Sequence, residues 1–253
     1  MDKKIFFFDI DGTLAIHGKI PQSNLEALRL LKEKGHLTFI CTGRAPFYAQ
    51  HLFSDLVSGY VCCNGRYILY QGHKLHGEVL SDEEITFYLN TFNQLGIGAL
   101  FVSDEQSYAY HLNDLQLERV TCEYGEERIR PFIHNQKYYT FDLFYTHQYI
   151  QMVETLKETL IINDHGGQGD CDCSTISYDK GHGILYLLEH FHITKENAYA
   201  FGDGYNDQAM FREVKHAIAM GNAVEILKEK ATYITDCIEN EGIMKALSHY
   251  HIV

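Results

Sequence analysis

The sequence predicts an α/β protein in which a doubly wound, mostly parallel sheet is interrupted by a second, smaller α/β unit. Three observations carry that prediction. Short apolar runs without a helical period, of which Ile5-Phe6-Phe7-Phe8 is the first, read as strands buried on both faces. Amphipathic helical stretches alternate with these runs, as parallel crossovers require. Between about 82 and 176 the motifs that can carry chemistry stop while helix and strand patterns continue, so this block reads as an inserted domain, with 1–81 and 177–253 forming one discontinuous core domain.

Composition narrows the class. The chain has 253 residues, a net charge of -13, 45% hydrophobic and 13% aromatic residues, enough to bury a core. No apolar run approaches the roughly 18–20 residues of a membrane span. Met1-Asp2-Lys3-Lys4 leads directly into the first strand without a signal-peptide segment, so the expected location is the cytoplasm. Seven cysteines, an odd number without scaffold spacing, agree with a reducing compartment. The acidic balance and the lack of a Lys/Arg cluster argue against a nucleic-acid or membrane-surface partner.

The first strand ends in Asp9-Ile10-Asp11-Gly12-Thr13-Leu14. If strand geometry persists, Asp9 and Asp11 share a face, and two such charges call for a bound cation or a shared proton. Gly12 permits a sharp turn and Thr13 can hydrogen-bond it. A calcium loop is the wrong reading, since it needs a Glu where Ile20 stands. Pro21 opens a helix with Leu25, Leu28 and Leu31 on its apolar face, stopped by Gly35. The strand His36 to Cys41 ends in Thr42-Gly43-Arg44 before a helix from about Pro46 to Leu52. A hydroxyl and free N–H groups there suit phosphate oxygens, although a plain helix cap explains them as well. Tyr60 to Cys63 is a strand, and Asn64-Gly65 reads as a two-residue hairpin turn into Tyr67 to Tyr70 and Lys74 to Leu80.

In the insert the patterns predict a helix from Asp82 to Leu95, strands at Ala99 to Val102, Tyr108 to His111 and Tyr138 to Tyr145, a helix from Tyr149 to Leu160 and a short strand at Thr175 to Ser177. Gly166 to Asp170 reads as a surface turn. Cys171-Asp172-Cys173 lacks a second cysteine pair, which argues against zinc, and the histidines show no ligand spacing. Beyond the insert, Asp179-Lys180-Gly181 starts a helix reaching His190. A lysine in the first turn opposes the helix dipole unless an anion binds there. Ala198 to Phe201 is a strand ending in Gly202-Asp203-Gly204-Tyr205-Asn206-Asp207, a glycine-flexed loop whose acids and amide suit an oxygen-ligated Mg²⁺. His216 to Met220, a helix near Val224 to Lys230, Tyr233-Ile234 and a helix near Ile243 to Leu247 complete the alternation.

Phe-Phe-Asp-Ile-Asp-Gly-Thr-Leu at 7–14, Thr42-Gly43-Arg44, Lys180-Gly181 and the 202–207 loop, in that order, resemble the motifs of the haloacid dehalogenase superfamily. The α/β insert after the third strand resembles that of its Cof-type phosphatase branch. The resemblance implies a Rossmann-like core with an inserted α/β cap, a small phosphorylated metabolite as substrate, and Mg²⁺ as cofactor. It implies Asp9 as the nucleophile that becomes an aspartyl-phosphate and Asp11 as the acid and base. The metal falls to the Asp9 carboxylate, the Asp11 backbone carbonyl and Asp203. Thr42, Gly43, Lys180 and Asn206 fall to the phosphate, with Asn64, Arg44 and Asp207 as further candidates. The loop Ser174-Thr175-Ile176-Ser177-Tyr178 departs from the Pro and Gly common in relatives. A phosphomutase or a phosphate-ester sensor would use the same residues, and a phosphate-release assay separates the three.

Overall fold

The computed structural model describes residues 3–164 and 167–253; Gly166, in the turn expected at 166–170, lies outside the described residues. In chain order the elements before the insert are β1 (Ile5–Phe8), α1 (Gln22–Glu33), β2 (Leu37–Cys41), α2 (Pro46–Phe53), β3 (Gly59–Cys62), β4 (Tyr67–Tyr70) and β5 (His73–Gly77). Then come α3 (Asp82–Leu95), β6 (Gly98–Val102), β7 (Ser107–Tyr110), α4 (Asp114–Tyr124), β8 (Ile129–Pro131), β9 (Thr140–Phe144), α5 (Tyr149–Leu156), β10 (Leu160–Asp164) and β11 (Asp170–Thr175). The chain closes with α6 (Lys180–Phe191), β12 (Ala198–Gly202), α7 (Gln208–Glu213), β13 (His216–Ala219), α8 (Glu225–Lys228), β14 (Tyr233–Ile234) and α9 (Gly242–His249).

The first sheet runs β14-β13-β12-β1-β2-β3-β4-β5, parallel from β14 to β3 and antiparallel through β3-β4-β5. Alternation along β1 explains why all four of its residues are buried. Phe6 and Phe8 join the cluster under α1 and α9, while Ile5 and Phe7 join the cluster under α6 and α7. Burying each such side chain contributes about 1.5–3 kcal/mol, which makes β1 the strand both layers depend on. Its pairing with β12 is fixed by aromatic pairs: Phe6 lies opposite Tyr199 and Phe8 opposite Phe201, with ring centroids 4.7 and 4.8 Å apart. From β1 the chain builds outward through β2 and β3 first and returns to the other flank at β12. The order therefore reverses between β1 and β12, the place where open α/β sheets bind ligands at their C-terminal strand ends.

The second sheet, β10-β11-β9-β6-β7-β8, is made from the inserted segment. One face packs on α3 and α5 through Leu89, Phe92, Met152 and Leu156 against Phe101 and Phe141. The other face carries α4, where Val120 packs on Leu100 and Phe144. Helix α3 starts where a Ser81/Glu84 capping box satisfies both end donors, at 3.1 and 2.8 Å.

Three parts of this sheet depart from the sequence expectations. Helix α4 was not expected, because only Val120 is buried on it and an apolar stripe is therefore missing; its one sequence signal is the Asn113/Gln116 capping box. The helix expected to reach Leu160 ends at Leu156, and Leu160 opens β10. Asp170, expected in a turn, instead begins β11, and the strand expected at 175–177 is the end of β11. Asp-Cys-Asp-Cys-Ser-Thr does alternate, but its outward face is polar, so no apolar run announced it. Cys171 and Cys173 lie on its inward face in the second core, with sulfurs 4.0 Å apart. The hairpin at Asn64 joins antiparallel β3 and β4 but uses 63–66 rather than two residues, with Asn64 left-handed at φ 50°. Among the described residues no helix is long and apolar enough to cross a membrane.

Candidate active site

Extended geometry stops at Asp9, whose N–H still donates to Phe201 O at 3.0 Å. The chain then folds back so that the N–H groups of Leu14 and Ala15 both reach Ile10 O, at 2.9 and 2.8 Å. This turn separates the two acids expected to share a face. Asp9 is buried, and its Oδ1 accepts from Lys180 Nζ at 2.7 Å. Asp11 is exposed, and its Oδ2 accepts from Arg44 Nε at 3.1 Å. The charges crowding Asp9 come instead from the loop after β12. Asp9, Asp203 and Asp207 each place a carboxylate oxygen within 4.8 Å of the others.

Lys180, almost wholly buried at the start of α6, bridges Asp9 Oδ1 and Asp207 Oδ1, both at 2.7 Å. The other oxygen of Asp207 accepts from the N–H groups of Asp203 and Gly204, each at 2.9 Å, which ties the loop to the lysine. Burial works against the ammonium, but Asp207 and Asp9 outweigh it and raise the Lys180 pKa well above its ordinary value. Burial pushes the Asp9 carboxyl well up; Lys180 pulls it down, while Asp207 and Asp203 push it up again. Asp203 is raised from 3.8 to about 7 by burial and then by Asp207, against the opposing hydrogen bond from Thr13. One ammonium thus faces three clustered carboxylates, a surplus that a cation would neutralise.

The donor set fits a hard divalent cation. Both oxygens of Asp207 are engaged, and Oδ1 of Asp9 is on Lys180, so Asp9 Oδ2 and the Asp203 carboxylate are the groups that could hold one. Asp203 is aimed by Thr13 Oγ1, which donates to its Oδ1 at 2.8 Å, and by Asn222 Nδ2, at 3.2 Å from its Oδ2. Asn222 also donates to Gly12 O at 2.9 Å, binding the two loops together. A Cβ on Gly12, at φ +82°, would stand 2.1 Å from Asp203 Oδ2, so this position admits only glycine. The Asp11 carboxylate is outside this cluster.

Thr42 follows β2 and is buried; its Oγ1 accepts from Arg44 N–H at 3.1 Å, the cap-like arrangement, while Gly43 lines the cleft beside it. Arg44 spans the two sheets' elements. Besides Asp11 it donates to Glu123 and, at 3.3 Å, to Tyr124 Oη, both on α4, and its guanidinium lies 4.9 Å over the Tyr48 ring. Asn64 is buried behind Gly43, its Nδ2 donating to Cys173 O at 2.9 Å. Asn206 Nδ2 donates to Asp172 Oδ2 at 3.0 Å. Both amides therefore touch the inserted sheet.

These residues enclose a cavity of about 310 Å³ between the strand tips and the second sheet. Asp9, Asp11, Thr42, Gly43, Arg44, Asp203 and Asn206 line one wall; Lys180, Asp207 and Asn64 lie behind it. Arg119, Glu123, Tyr124, Asp142, Asp170 and Asp172 line the facing wall. Sequence reasoning placed none of that second group in the site, Asp170 reading as a turn residue and Asp172 as part of a rejected zinc motif, and it missed Asn222 and the Thr13 contact to Asp203. Asn222 was findable, because Gly221-Asn222 follows a strand exactly where the other motif residues do in this fold's order of tips; the facing wall had no such mark.

The model of the haloacid dehalogenase-like hydrolase family matches residues 6–247, and the chain belongs to that family. It is accordingly an enzyme of the phosphatase class. It is 28% identical to a putative phosphatase, YkrA, of Bacillus subtilis (strain 168), covering 98% of this chain and 97% of the relative. It is 26% identical to the 5-amino-6-(5-phospho-D-ribitylamino)uracil phosphatase YwtE of the same organism, over 95% of both. Among solved structures, a hypothetical protein from Geobacillus kaustophilus HTA426 superposes with a TM-score of 0.83 at 29% identity over 100% of both chains. The subclass IIB sugar phosphatase BT4131 gives 0.82 at 28%, over 99% of this chain and 100% of the other.

Proposed function

We propose that the chain hydrolyses phosphate monoesters of small metabolites with Mg²⁺, through an aspartyl-phosphate on Asp9. The observation that carries this reading is the placement of Asp9. It is a buried carboxylate at the strand-order reversal, held on one oxygen by Lys180 and crowded by Asp203 and Asp207. A phosphate monoester repels an attacking hydroxide by its own charge, so a nucleophile inside a neutralised site is the effective catalyst. Bound Mg²⁺ would supply that neutralisation between Asp9 and Asp203.

The Asp9 carboxylate oxygen that the cation would leave open forms the new bond to phosphorus as the P–O bond of the ester breaks, and Asp11, at the cleft mouth, gives its proton to the departing alkoxide. Asp11 then takes a proton from water, whose oxygen attacks the aspartyl-phosphate and releases inorganic phosphate with Asp9 restored. Lys180 fixes the nucleophile and offsets charge on the transferring group, with Thr42 and Gly43 as donors to its oxygens. Asn206, Arg44 and Asn64 act where this wall meets the inserted sheet, and Asp207 holds Lys180.

On this reading 1–81 and 177–253 carry the chemistry and 82–176 is the cap. The relatives' names differ in substrate, so the reaction travels with the family and the leaving group does not. All seven cysteines are free, which suits a cytoplasmic enzyme. The test is release of inorganic phosphate from a panel of esters with Mg²⁺ present. Release with p-nitrophenyl phosphate among the substrates supports hydrolysis. Isomerised ester without free phosphate would show a mutase, and binding without turnover a sensor.

A further inference from the structure

The insert joins the rest of the chain at two crossings, 78–81 after β5 and 176–179 before α6, and one side chain outside the cleft reaches both. Arg66 closes the turn between β3 and β4; at 5% exposed it is the one buried arginine among the described residues. Its Nη1 donates to Val79 O at 3.3 Å, in the first crossing. Its Nη2 donates to Thr175 Oγ1 at 2.9 Å, at the end of β11, and to Glu84 Oε1 at 3.4 Å, in the first turn of α3. The guanidinium also lies 5.1 Å over the ring of Tyr178, in the second crossing. The flat, five-donor fork of an arginine is thus divided among both crossings and two elements of the insert.

The turn that carries Arg66 also backs the chemistry, which is an independent observation. The N–H of Asn64 donates to Thr42 O at 3.1 Å and that of Cys63 to Arg44 O at 3.2 Å, so the turn holds the loop after β2. A Cβ on Gly65 would stand 2.3 Å from Asp179 O, so the turn also lies directly on the chain that enters α6 and carries Lys180. Arg66 itself does not line the cavity. A buried cation is costly unless its hydrogen bonds are made, so this one resists any movement of the crossings that would break them.

Resting on the phosphatase reading above, we infer that Arg66 is a positioning residue of that reaction: it pins both crossings to the turn at 63–66 and so sets where the insert's wall stands over Asp9. Losing the fork loosens the angle between the two sheets and leaves the groups around Asp9 in place. An ester whose leaving group must reach the insert's wall then binds less well, while a small ester gripped through its phosphoryl group keeps its rate. The loss falls on KM more than on kcat, because contact with that wall is made before the transition state as well as in it.

The experiment compares wild type, Arg66→Met and Thr175→Val as full chains with Mg²⁺, on glucose 6-phosphate, ribose 5-phosphate, glycerol 1-phosphate and p-nitrophenyl phosphate. Arg66→Met should lower kcat/KM about tenfold on the best sugar or polyol ester, mostly through KM, and less than about threefold on p-nitrophenyl phosphate. Thr175→Val keeps the β-branched shape and removes the acceptor; it should show the same pattern at about threefold. The double variant should be no worse than Arg66→Met, as expected of two residues acting through one contact. Amide hydrogen exchange at Leu80 and Tyr178 should quicken about tenfold in Arg66→Met, with Phe7 in β1 at its wild-type rate. If Arg66→Met does not fold, Thr175→Val carries both measurements. Equal loss on every ester, a wild-type ranking of esters, or unchanged exchange at the two crossings overturns this inference and leaves hydrolysis intact. No release by wild type from any ester, p-nitrophenyl phosphate included, overturns the hydrolysis reading and this inference with it.

Discussion

The two walls of the cleft are built on opposite principles. On the strand-tip wall the buried charges are held from several sides: Lys180 on Asp9 and Asp207, Asp207 also on two backbone N–H groups, and Asp203 on the Thr13 and Asn222 side chains. On the facing wall the acids stand on a sheet face and on α4, where they meet across strands or reach over to the other wall, as Asp172 does to Asn206. Rigid, over-determined groups suit the part of a substrate that every phosphate ester shares, and a looser acceptor surface suits the part that differs. Perturbing the first wall should therefore change all substrates alike, and perturbing the second should change their ranking.

The sharpest break would come from Asp9→Asn, which keeps shape but removes the attacking oxygen's charge. It should cost at least about a thousandfold in kcat/KM for every ester, with an unchanged circular dichroism spectrum. Residual activity within tenfold of wild type, on the order set by ordinary acid–base effects, would remove Asp9 from the nucleophile role. Chelation comes next. Turnover should fall below about a hundredth and return with Mg²⁺, while Ca²⁺, which prefers more oxygens at longer range, should inhibit. Lys180→Ala should lower kcat for all esters by about a hundredfold. It should also cost about 3–5 kcal/mol in urea unfolding, since Asp9 and Asp207 would stay buried without their cation.

A subtler effect concerns pH. With no cation bound, Asp203 titrates at about 7 instead of 3.8, so the native state keeps a proton that the unfolded chain loses. The stability this group contributes is full below 3.8 and is lost as pH rises through about 7. Metal-free wild type should lose stability relative to Asp203→Asn between about pH 5 and pH 8, and added Mg²⁺ should stabilise wild type more at the higher pH. Parallel melting curves for the two proteins at both pH values would contradict the assignment. The smallest effect belongs to the contact between walls. Tyr124→Phe removes one acceptor of Arg44 and should reduce kcat/KM about threefold for bulky esters, with p-nitrophenyl phosphate unchanged.

What the sequence disclosed follows the same division. Strand tips are legible because an apolar run must end somewhere, and Asp9, Thr42, Asp203 and their neighbours stand at those ends. Lys180 was legible through its misfit with the helix dipole. The separation of Asp9 from Asp11 was hidden, because the turn at Ile10 is decided by three N–H groups sharing one carbonyl rather than by residue type. The facing wall was hidden for a different reason. Its residues lie on β9, β11 and α4, elements whose cleft side is polar, so neither apolar periodicity nor a loop motif set Asp142, Asp172 or Glu123 apart from solvated surface. Pairing Asp142 with Asp172 required the register of two strands nearly thirty residues apart in the chain.

The position of β1 also has a consequence for biosynthesis. Its aromatic run is made before every other strand described here, yet one of its two neighbours, β12, pairs Ile5 with Ala198 and is among the last of them. At ordinary elongation rates of about 5–20 residues per second, that flank waits roughly 10–40 s for its partner. Through that interval Phe6 and Phe8 lack Tyr199 and Phe201, and the nascent chain presents an open parallel edge. Messages truncated before the codon for Ala198 should yield an aggregating product held by chaperones, whatever the state of the finished inserted sheet.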